Sequence, residues 1–306
     1  MNRAMIRRTV LLCAGFATVF LAPRGHSRAE VGVALDATAI RGPYLHTIVD
    51  DPTPFGSAWT RFSSSPTRVV LNEQGAANGD GNPDFVFNAV SNLPIVAWSR
   101  RNAGNYDVVV SAFSAGAWST PQVVVGSPDN ELDPRLVVDA TGTVHLFYWV
   151  DTGTTQRVYY SHGSPDLSSW SAAVPVSSLG EAACRPGPTI YNGLLRVAYE
   201  VHPGGFGTIP RQVVVARYED STFISEIVAT SNNPWELWPA ARSHAGRFWV
   251  EWIDSTGANE CPGEFGWMRW DPILLQWGPK QIDPFATREE RDFHVRPGIR
   301  LEAVAP

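Results

Sequence analysis

Most of the chain alternates between short apolar runs rich in Val, Phe, Tyr and Trp and short clusters of Gly, Asn, Asp and Ser. β-Branched and aromatic residues favour strands, and the residues between them favour tight turns. No window of a dozen residues shows the 3.6-residue period of an amphipathic helix. The pattern therefore predicts an all-β protein whose strands are joined by turns.

A repeat of about fifty residues organises these runs, and three kinds of marker residue keep its period. A proline opens an apolar strand at Pro83, Pro134, Pro186, Pro239 and Pro297. An aromatic residue closes the following strand at Trp98, Trp149, Tyr199 and Trp252. A second aromatic residue starts the last strand of a repeat at Trp59, Trp118, Trp170, Phe223 and Trp277.

Each complete repeat contains four strand-like runs. In one repeat these are residues 83–88, 94–100, 106–113 and 118–125, and in the next they are 135–139, 144–150, 157–162 and 170–176. Four short antiparallel strands in roughly 40–50 residues form one blade of a β-propeller. The repeat therefore predicts a propeller with four-stranded antiparallel blades.

The two ends of the propeller region complement each other. Residues 30–72 contain candidate second and third strands at 31–35 and 44–49 and a fourth beginning at Trp59, whereas residues 293–304 look like a lone first strand. Pairing the N- and C-terminal segments in one blade would close the ring and remove its exposed edges. This predicts five blades, or six if residues 30–58 contain a further element.

The N-terminus has the pattern of an export signal. Arg3, Arg7 and Arg8 precede an apolar run at residues 9–21 that is too short to span a bilayer, and Ser27-Arg28-Ala29 offers small residues for cleavage. We predict a signal peptide at 1–29, a single propeller domain at 30–306 and export to the periplasm or beyond the cell. No later segment is long and apolar enough to be a transmembrane helix.

Charge and cysteine content narrow the choice of partners. Removing residues 1–29 takes away five of the 24 basic residues and none of the 30 acids, which leaves a net charge of −11. This argues against nucleic acid or anionic lipid as a partner.

Cys184 and Cys261 can form a disulfide after export. No phosphate loop, zinc spacing or calcium loop is present, so we predict no cofactor or metal, and a monomer.

The blade pattern resembles the sialidase-like, or BNR/Asp-box, β-propellers. The stretch "DPRLVVDATGTVHLFYWVD" followed by "RVYYSHGSPDLSSWS" has their order of strand, turn, aromatic-rich strand and polar hairpin ending on tryptophan. Residues 164–170 resemble an Asp box, S-x-D-x-G-x-T-W, but the segment is one residue shorter, lacks the glycine and has serine in place of threonine. The resemblance covers roughly residues 80–285, and in that family the Asp box is structural.

The catalytic pattern of sialidases does not carry over to this chain. Those enzymes use an Arg-Ile-Pro arginine, two further arginines, a tyrosine–glutamate pair and an acid/base aspartate, whereas here Thr208-Ile209-Pro210-Arg211 has the arginine on the other side. No tyrosine–glutamate pair can be assigned. The related five-bladed furanosidases need three carboxylates on inner strands, and no convincing set of three is present.

Charged residues gather around the marker prolines. Acids precede them at Asp80, Glu131 and Glu236, and further charges lie beside or after them at Asp84, Arg135, Arg185, Arg242 and Arg296. Because inner strands surround the axis of a propeller, we expect a charged ring at one opening of its channel. Arginine forks can bind carboxylates, and carboxyls roughly 5–10 Å apart can act in glycoside cleavage. The structural alternative is mutual neutralisation that links adjacent blades.

A second group of candidates combines aromatic residues and loops. Trp235 and Trp238 flank Glu236, so either ring could stack on a sugar. The loops at 151–156, 202–211 and 254–265 should lie on the same face as the charged ring, and binding residues favour such loops. Histidines at 202, 244 and 294 are candidate bases without an identified partner.

Two functions remain open from the sequence. The first is a non-catalytic exported propeller that binds a glycan or a protein partner at its charged opening. The second is a glycoside hydrolase or polysaccharide lyase that acts on an acidic sugar with an unfamiliar acid–base set. The fold by itself cannot choose between them.

Overall fold

The computed structural model describes two parts of the chain. In the N-terminal part it describes residues 16–19, 32–36 and 67–70, and further on residues 81–88, 90–91, 94–102, 104–114, 117–232, 237–244, 246–253 and 265–283. The chain divides into two compact units, Met1–Gly79 with Arg296–Pro306, and Asp80–Val295. The described residues form strands and turns, and none of them forms a helix that could cross a membrane.

The first unit contains a three-stranded antiparallel sheet of β1 (Phe16–Val19), β2 (Gly32–Asp36) and β3 (Thr67–Val70), with β2 in the middle. Strand β2 matches the strand predicted at 31–35, and β1 falls within the segment predicted to be a signal peptide. The predicted strands at 44–49 and 293–304 lie outside the described residues. Ring closure and the number of blades therefore stay predictions.

The second unit contains four antiparallel sheets that follow one another along the chain, here called the first to fourth sheets. The first sheet comprises β4 (Gly81–Phe87), β5 (Pro94–Asn102), β6 (Asn105–Ser114), β7 (Ala117–Trp118) and β8 (Gln122–Val125). The second comprises β9 (Asn130–Val138), β10 (Val144–Asp151), β11 (Gln156–Gly163) and β12 (Val174–Pro175). The third comprises β13 (Ala182–Tyr191), β14 (Leu194–His202), β15 (Arg211–Glu219) and β16 (Thr222–Ser231). The fourth comprises β17 (Ala240–His244), β18 (Arg247–Ile253), β19 (Phe265–Asp271), β20 (Gln276–Trp277) and β21 (Gln281–Asp283).

The strands of each sheet pair in chain order, as the repeat predicts. In the first and fourth sheets two short strands take the place of a single fourth strand. Both β7 and β8 pair with β6, and both β20 and β21 pair with β19. The first strands of successive sheets lie against one another, β4 with β9, β9 with β13 and β13 with β17. This arrangement of four-stranded antiparallel sheets confirms the all-β architecture and places the first strands of successive sheets side by side.

Apolar side chains fill the spaces between successive sheets. A buried ring recurs at one equivalent position in the second strand of each sheet: Trp98, Tyr148, Tyr199 and Trp252. The sequence pattern predicted Trp149 as the member of this series in the second sheet. Strand pairing shows that the preceding residue, Tyr148, occupies the equivalent position. Trp149 lies opposite Leu132, and the equivalent position in the third sheet is held by Glu200 opposite Cys184.

A β-bulge recurs in the first strands of the first three sheets, next to Pro83, Pro134 and Pro186. The pairing registers shift between Gly81 and Asp84, between Leu132 and Arg135, and between Cys184 and Gly187. The residue before the proline has a positive φ of 51°, 50°, 55° and 47° at Asn82, Asp133, Arg185 and Trp238 respectively. Such a conformation costs roughly 1–2 kcal/mol for a non-glycine residue. Its recurrence shows that the bulge is a structural device of the repeat.

The turn at residues 164–170, which resembles an Asp box, is closed by side-chain hydrogen bonds. Asp166 Oδ1 accepts from Ser164 Oγ at 2.6 Å and from Ser168 N at 3.1 Å, while Ser169 N donates to Ser164 Oγ at 3.1 Å. The bonds from the serine hydroxyl and the backbone lower the pKa of Asp166 to about 2. The turn therefore supports the hairpin between the third and fourth strands of the second sheet.

The third and fourth sheets approach closely at Gly187. A Cβ added there would lie 2.6 Å from Pro239 O and 2.7 Å from Ala240 Cα, both backbone atoms of the neighbouring sheet. We expect Gly187→Ala to lower the free energy of unfolding by about 1–3 kcal/mol, because overpacking forces the two first strands apart. Urea unfolding of the full chain measures the loss.

The matched control is Gly153→Ala. Gly153 has a φ of 81°, but an added Cβ would meet nothing within 4 Å. Its loss should be limited to the conformational cost of about 1 kcal/mol. A Gly187→Ala loss no larger than that of the control would contradict the close approach.

Candidate functional site

In the second and third sheets the bulge residue of the first strand faces the end of the second strand of its own sheet. In the second sheet Trp149 Nε1 donates to the buried Asp133 Oδ2 at 2.9 Å. In the third sheet the equivalent positions hold Arg185 and Glu200, and Arg185 Nη1 donates to Glu200 Oε2 at 3.3 Å. One structural position thus holds a tryptophan–aspartate hydrogen bond in one sheet and an ion pair in the next.

Glu200 is fully buried and accepts from four donors. Its Oε1 lies 3.1 Å from Arg211 Nη1 and 3.1 Å from His202 Nε2. Its Oε2 accepts from Arg185 and, at 3.0 Å, from the backbone N–H of Leu237, which leads into the fourth sheet. Burial opposes ionisation, but the hydrogen bond from His202 and the charge of Arg185 lower the pKa of Glu200 below its usual value. Glu200 is therefore an ionised carboxylate that links two sheets.

His202 is fixed in one tautomer by its neighbours. Its Nδ1 accepts from Gly207 N at 3.1 Å, so the ring proton of neutral His202 is on Nε2. Nε2 points to Glu200 and lies 3.8 Å from Cys184 Sγ. Because both nitrogens are engaged, His202 positions the carboxylate and has no nitrogen available to act as a general base.

We call Cys184, Arg185, Glu200, His202 and Arg211 the Glu200 cluster. Arg185 and Arg211 both donate to the carboxylate of Glu200. Potential metal-ligating atoms of Cys184, Glu200 and His202 lie within 4.8 Å of one another. The two guanidiniums repel a cation there, and both Glu200 oxygens already have donors, so the cluster does not suit a metal ion.

Aromatic rings border the Glu200 cluster. The Arg185 guanidinium lies 4.7 Å from the centre of the Trp238 ring. Phe206 stacks on Trp149 with ring centres 6.2 Å apart and packs against His202 at 5.0 Å, yet 49% of Phe206 stays exposed. It lies in the 202–211 loop, on the face where the sequence placed a binding surface. An exposed ring beside oriented guanidiniums can stack on a sugar and present its acidic group to the charges.

Asp84, Arg135 and Arg242 form part of a second group on the first strands. Asp84 Oδ2 accepts from Leu136 N of the second sheet at 2.7 Å. Arg242 Nε donates to Glu251 Oε2 at 3.3 Å. Burial lowers the pKa of Arg242, the charges of Glu251 and Asp84 oppose this shift, and Arg135 adds to it. These three predicted residues are therefore close enough to act on one another electrostatically.

Glu131 belongs to a third group, between the first and second sheets. Its Oε1 accepts from Ser127 Oγ, and its side chain is almost completely buried. Burial raises the pKa of Glu131 to about 7, although the hydrogen bond from Ser127 opposes the rise. Asn105 donates to Asp107 Oδ1 at 3.1 Å and to Asp129 O at 3.2 Å, which ties β6 to the start of β9. Glu131 is thus a protonated structural carboxyl over much of the acidic range.

The described residues among the predicted candidates fall into three groups by their hydrogen bonds, ring contacts and electrostatic interactions, and the charged ring stays a prediction. Arg185 and Trp238 lie at the Glu200 cluster, Asp84 with Arg135 and Arg242 form the second group, and Glu131 the third. The remaining predicted residues, Asp80, Glu236, Arg296 and Cys261, lie outside the described residues. The disulfide between Cys184 and Cys261 stays a prediction, and Cys184 is buried.

Sequence reasoning missed Glu200 and the role of Arg211. A signal for Glu200 was present: it is an acid inside the apolar run "RVAYEVH" at 196–202, next to the buried Tyr199. A carboxylate in a strand buried on both sides needs partners, and arginines are the common ones. Arg211 stands in the Thr208-Ile209-Pro210-Arg211 segment that was compared with the sialidase arginine motif.

Comparisons with known proteins show the fold and nothing finer. No protein-family model matches the chain, and no curated protein matches it. Among solved structures, the intramolecular trans-sialidase from Ruminococcus gnavus is 8% identical, covers 68% of this chain and 71% of its own, and has a TM-score of 0.53. The leech intramolecular trans-sialidase is 10% identical, covers 69% of this chain and 52% of its own, and also has a TM-score of 0.53.

A weaker likeness is that to the α-L-arabinanase from Cellvibrio cellulosa. It is 14% identical, covers 72% of this chain and 80% of its own, and has a TM-score of 0.44. The two trans-sialidases support a β-propeller fold for this chain. Fold likeness at such identities does not carry an activity with it.

Replacing Glu200 tests the cluster. Glu200→Gln leaves the Arg185 and Arg211 guanidiniums buried without their anion, which should cost about 3–5 kcal/mol in the free energy of unfolding. Equilibrium urea unfolding at neutral pH measures the change.

The control is Glu219→Gln. Glu219 Oε2 accepts from Arg217 Nε at 2.8 Å, but the two side chains are 44% and 41% exposed. An exposed pair of this kind contributes at most about 1 kcal/mol. Equal losses in the two variants would show that the Glu200 charge is not needed for stability.

A second prediction concerns pH. The folded chain keeps a proton on Glu131 up to about pH 7, whereas an unfolded chain releases it near 4.5. The folded state therefore binds more protons in this window, and stability must fall as the pH rises through it. We expect Glu131→Gln to be about as stable as the wild type at pH 5 and more stable at pH 8, measured by urea unfolding at each pH.

Asp166→Asn provides the comparison. The pKa of Asp166 lies at about 2 when folded and 3.8 when unfolded, so its carboxyl is ionised in both states above pH 5. Any stability difference of this variant from the wild type should stay constant between pH 5 and 8. If Glu131→Gln followed the wild-type pH profile, the raised pKa would be refuted.

Proposed function

We propose that this chain is an exported β-propeller that binds a carbohydrate carrying an acidic group beside the Glu200 cluster, without cleaving it. The observation that supports the proposal is the exposed ring of Phe206, which packs against His202 beside the oriented guanidiniums of Arg185 and Arg211. Guanidiniums that are already oriented lose little freedom when a carboxylate or sulfate arrives.

The carboxyl groups at hand favour binding over catalysis. Glycoside cleavage needs two carboxyls that reach the substrate, one of them with a free oxygen. Among the described residues, Glu200 has donors at both oxygens, Glu251 accepts from Arg242 and Trp249, and Glu131 is only 1% exposed. Each of these carboxyls is engaged or out of reach.

Export rests on the N-terminal pattern of arginines, apolar run and small residues, as described above.

The alternative function is a hydrolase or lyase that acts on an acidic sugar. It is supported by Glu131, which keeps its proton near neutral pH as a general acid must. Its burial argues against contact with a substrate, so the binding function is preferred. The alternative becomes an outcome of the experiment below.

A glycan array that contains neutral, carboxylated and sulfated glycans tests the proposal. The full chain should retain acidic glycans and release them as salt is raised, because screening weakens charge contacts near the surface. Phe206→Ala should weaken binding about threefold to tenfold, since stacking contributes roughly 0.5–1.5 kcal/mol. Affinity measured by calorimetry with the strongest array ligand checks this.

Ile273→Ala is the control, because Ile273 is 88% exposed in the turn between the third and fourth strands of the fourth sheet. It should bind as the wild type does. Glycans recovered after long incubation should be unchanged by mass spectrometry, and cleavage products would favour the enzyme. Absence of acidic glycan binding, or equal affinity in Phe206→Ala, would overturn the proposed site.

A further inference from the structure

A separate pocket lies on the third sheet, on the side that faces the fourth. It encloses about 140 Å³ and is lined by Arg196, Val215, Arg217, Ile224, Ser225 and Glu226. Arg196 is four residues from Glu200 on β14, which corresponds to about 13 Å along the strand. The pocket is therefore distinct from the Glu200 cluster and includes none of its residues.

Two arginines are held opposite each other in this pocket. Arg196 of β14 pairs directly with Arg217 of β15, so both side chains project from the same face of the sheet. Like charges directly opposite on neighbouring strands destabilise a sheet. Burial lowers the pKa of Arg196 and the charge of Arg217 lowers it further, whereas the charges of Glu226 and Glu219 oppose the shift. A negative group between the two guanidiniums would relieve their mutual repulsion.

Arg196 is buried, with 9% of its surface exposed, and its guanidinium is held against aromatic rings. It lies 4.9 Å from the centre of the Phe248 ring and 5.5 Å from that of Tyr191. Its Nε has no hydrogen-bond partner within the described part of the chain. A buried guanidinium donor without an acceptor is costly, and a ligand oxygen would relieve that cost.

The other polar groups of the pocket are engaged at its edges. Ser225 Oγ accepts from Tyr199 at 3.0 Å, and Glu226 Oε1 accepts from Trp277 Nε1 at 3.1 Å. Arg217 also donates to Glu219, in an exposed ion pair that contributes little. Glu226 is the lining carboxylate and can accept from hydroxyl groups on the carrier of an anion.

We propose that Arg196 and Arg217 form a binding site for a single oxyanion group, the chemistry shared by a free sulfate or phosphate ion and the acidic group of a sugar. The volume supports one such group. A water molecule takes about 30 Å³ in the liquid, so the pocket has room for a few waters, and sites for drug-sized ligands begin near 300 Å³. A carrier sugar would extend outward past the exposed Ile224.

Calorimetry of the full chain with inorganic sulfate, at constant ionic strength set by chloride, tests the site. We expect saturable binding of one ion. Arg217→Gln should weaken it at least tenfold while the protein stays folded, because 41% of the Arg217 side chain is exposed. Arg196→Lys keeps the charge but loses the planar fork, and it should also weaken binding.

The matched control is Arg247→Gln, since Arg247 is an exposed arginine on β18. It should bind sulfate as the wild type does, and so should Phe206→Ala, which affects only the Glu200 face. Titrations with phosphate, glucuronate and N-acetylglucosamine 6-sulfate identify the source of the anion. Tighter binding of the two sugars supports a glycan-borne group, and equal or weaker binding supports a free ion.

Two results would overturn the site. One is the absence of saturable binding for all four probes. The other is an equal loss of affinity in Arg247→Gln or Phe206→Ala, which would assign binding to general charge or to the Glu200 face. Neither result would overturn the proposed function, which the glycan array tests, so this site and the proposed function can fail separately.

Discussion

The bulge beside the marker proline is the constraint on which the arrangement of polar groups depends. A residue with positive φ precedes the proline in each of the four described first strands. The bulge turns that side chain toward the end of the second strand, where another side chain must meet it. In the second sheet the pair is Asp133 with Trp149, and in the third it is Arg185 with Glu200. The backbone conformation at the bulge is the same in the two sheets, but the side chains that interact there differ.

The ion pair in the third sheet has consequences beyond its own position. A carboxylate in this buried place needs several donors, so it recruits Arg211 from the third strand and His202 from its own. It also accepts from the backbone of Leu237, and this bond fixes where the chain enters the fourth sheet. Replacing a tryptophan–aspartate hydrogen bond by an ion pair gains no stability by itself, because desolvation offsets the attraction.

Much of the architecture was accessible from the sequence because marker residues have local physical causes. Prolines and aromatics repeat with the sheets, and four strands per repeat are confirmed. The first strands begin earlier in the chain than predicted, at Gly81, Asn130 and Ala182. The reason is that residues before the proline, on the other side of the bulge, also pair with the second strand. A bulge has no composition signal that periodicity can detect. The same cause explains the shift from Trp149 to Tyr148 in the aromatic series.

The functional residues were harder to predict, because their partners come from different strands. Arg185 was identified beside its proline, but the acid it meets lies on the next strand, and Arg211 follows a loop. The Arg196–Arg217 pair depends wholly on strand register, which sequence alone does not fix. The whole chain carries a net charge of −6, so its long-range field repels anions. Any acidic ligand must therefore be held by short-range contacts with these few oriented guanidiniums, and recognition here depends on local geometry more than on overall charge.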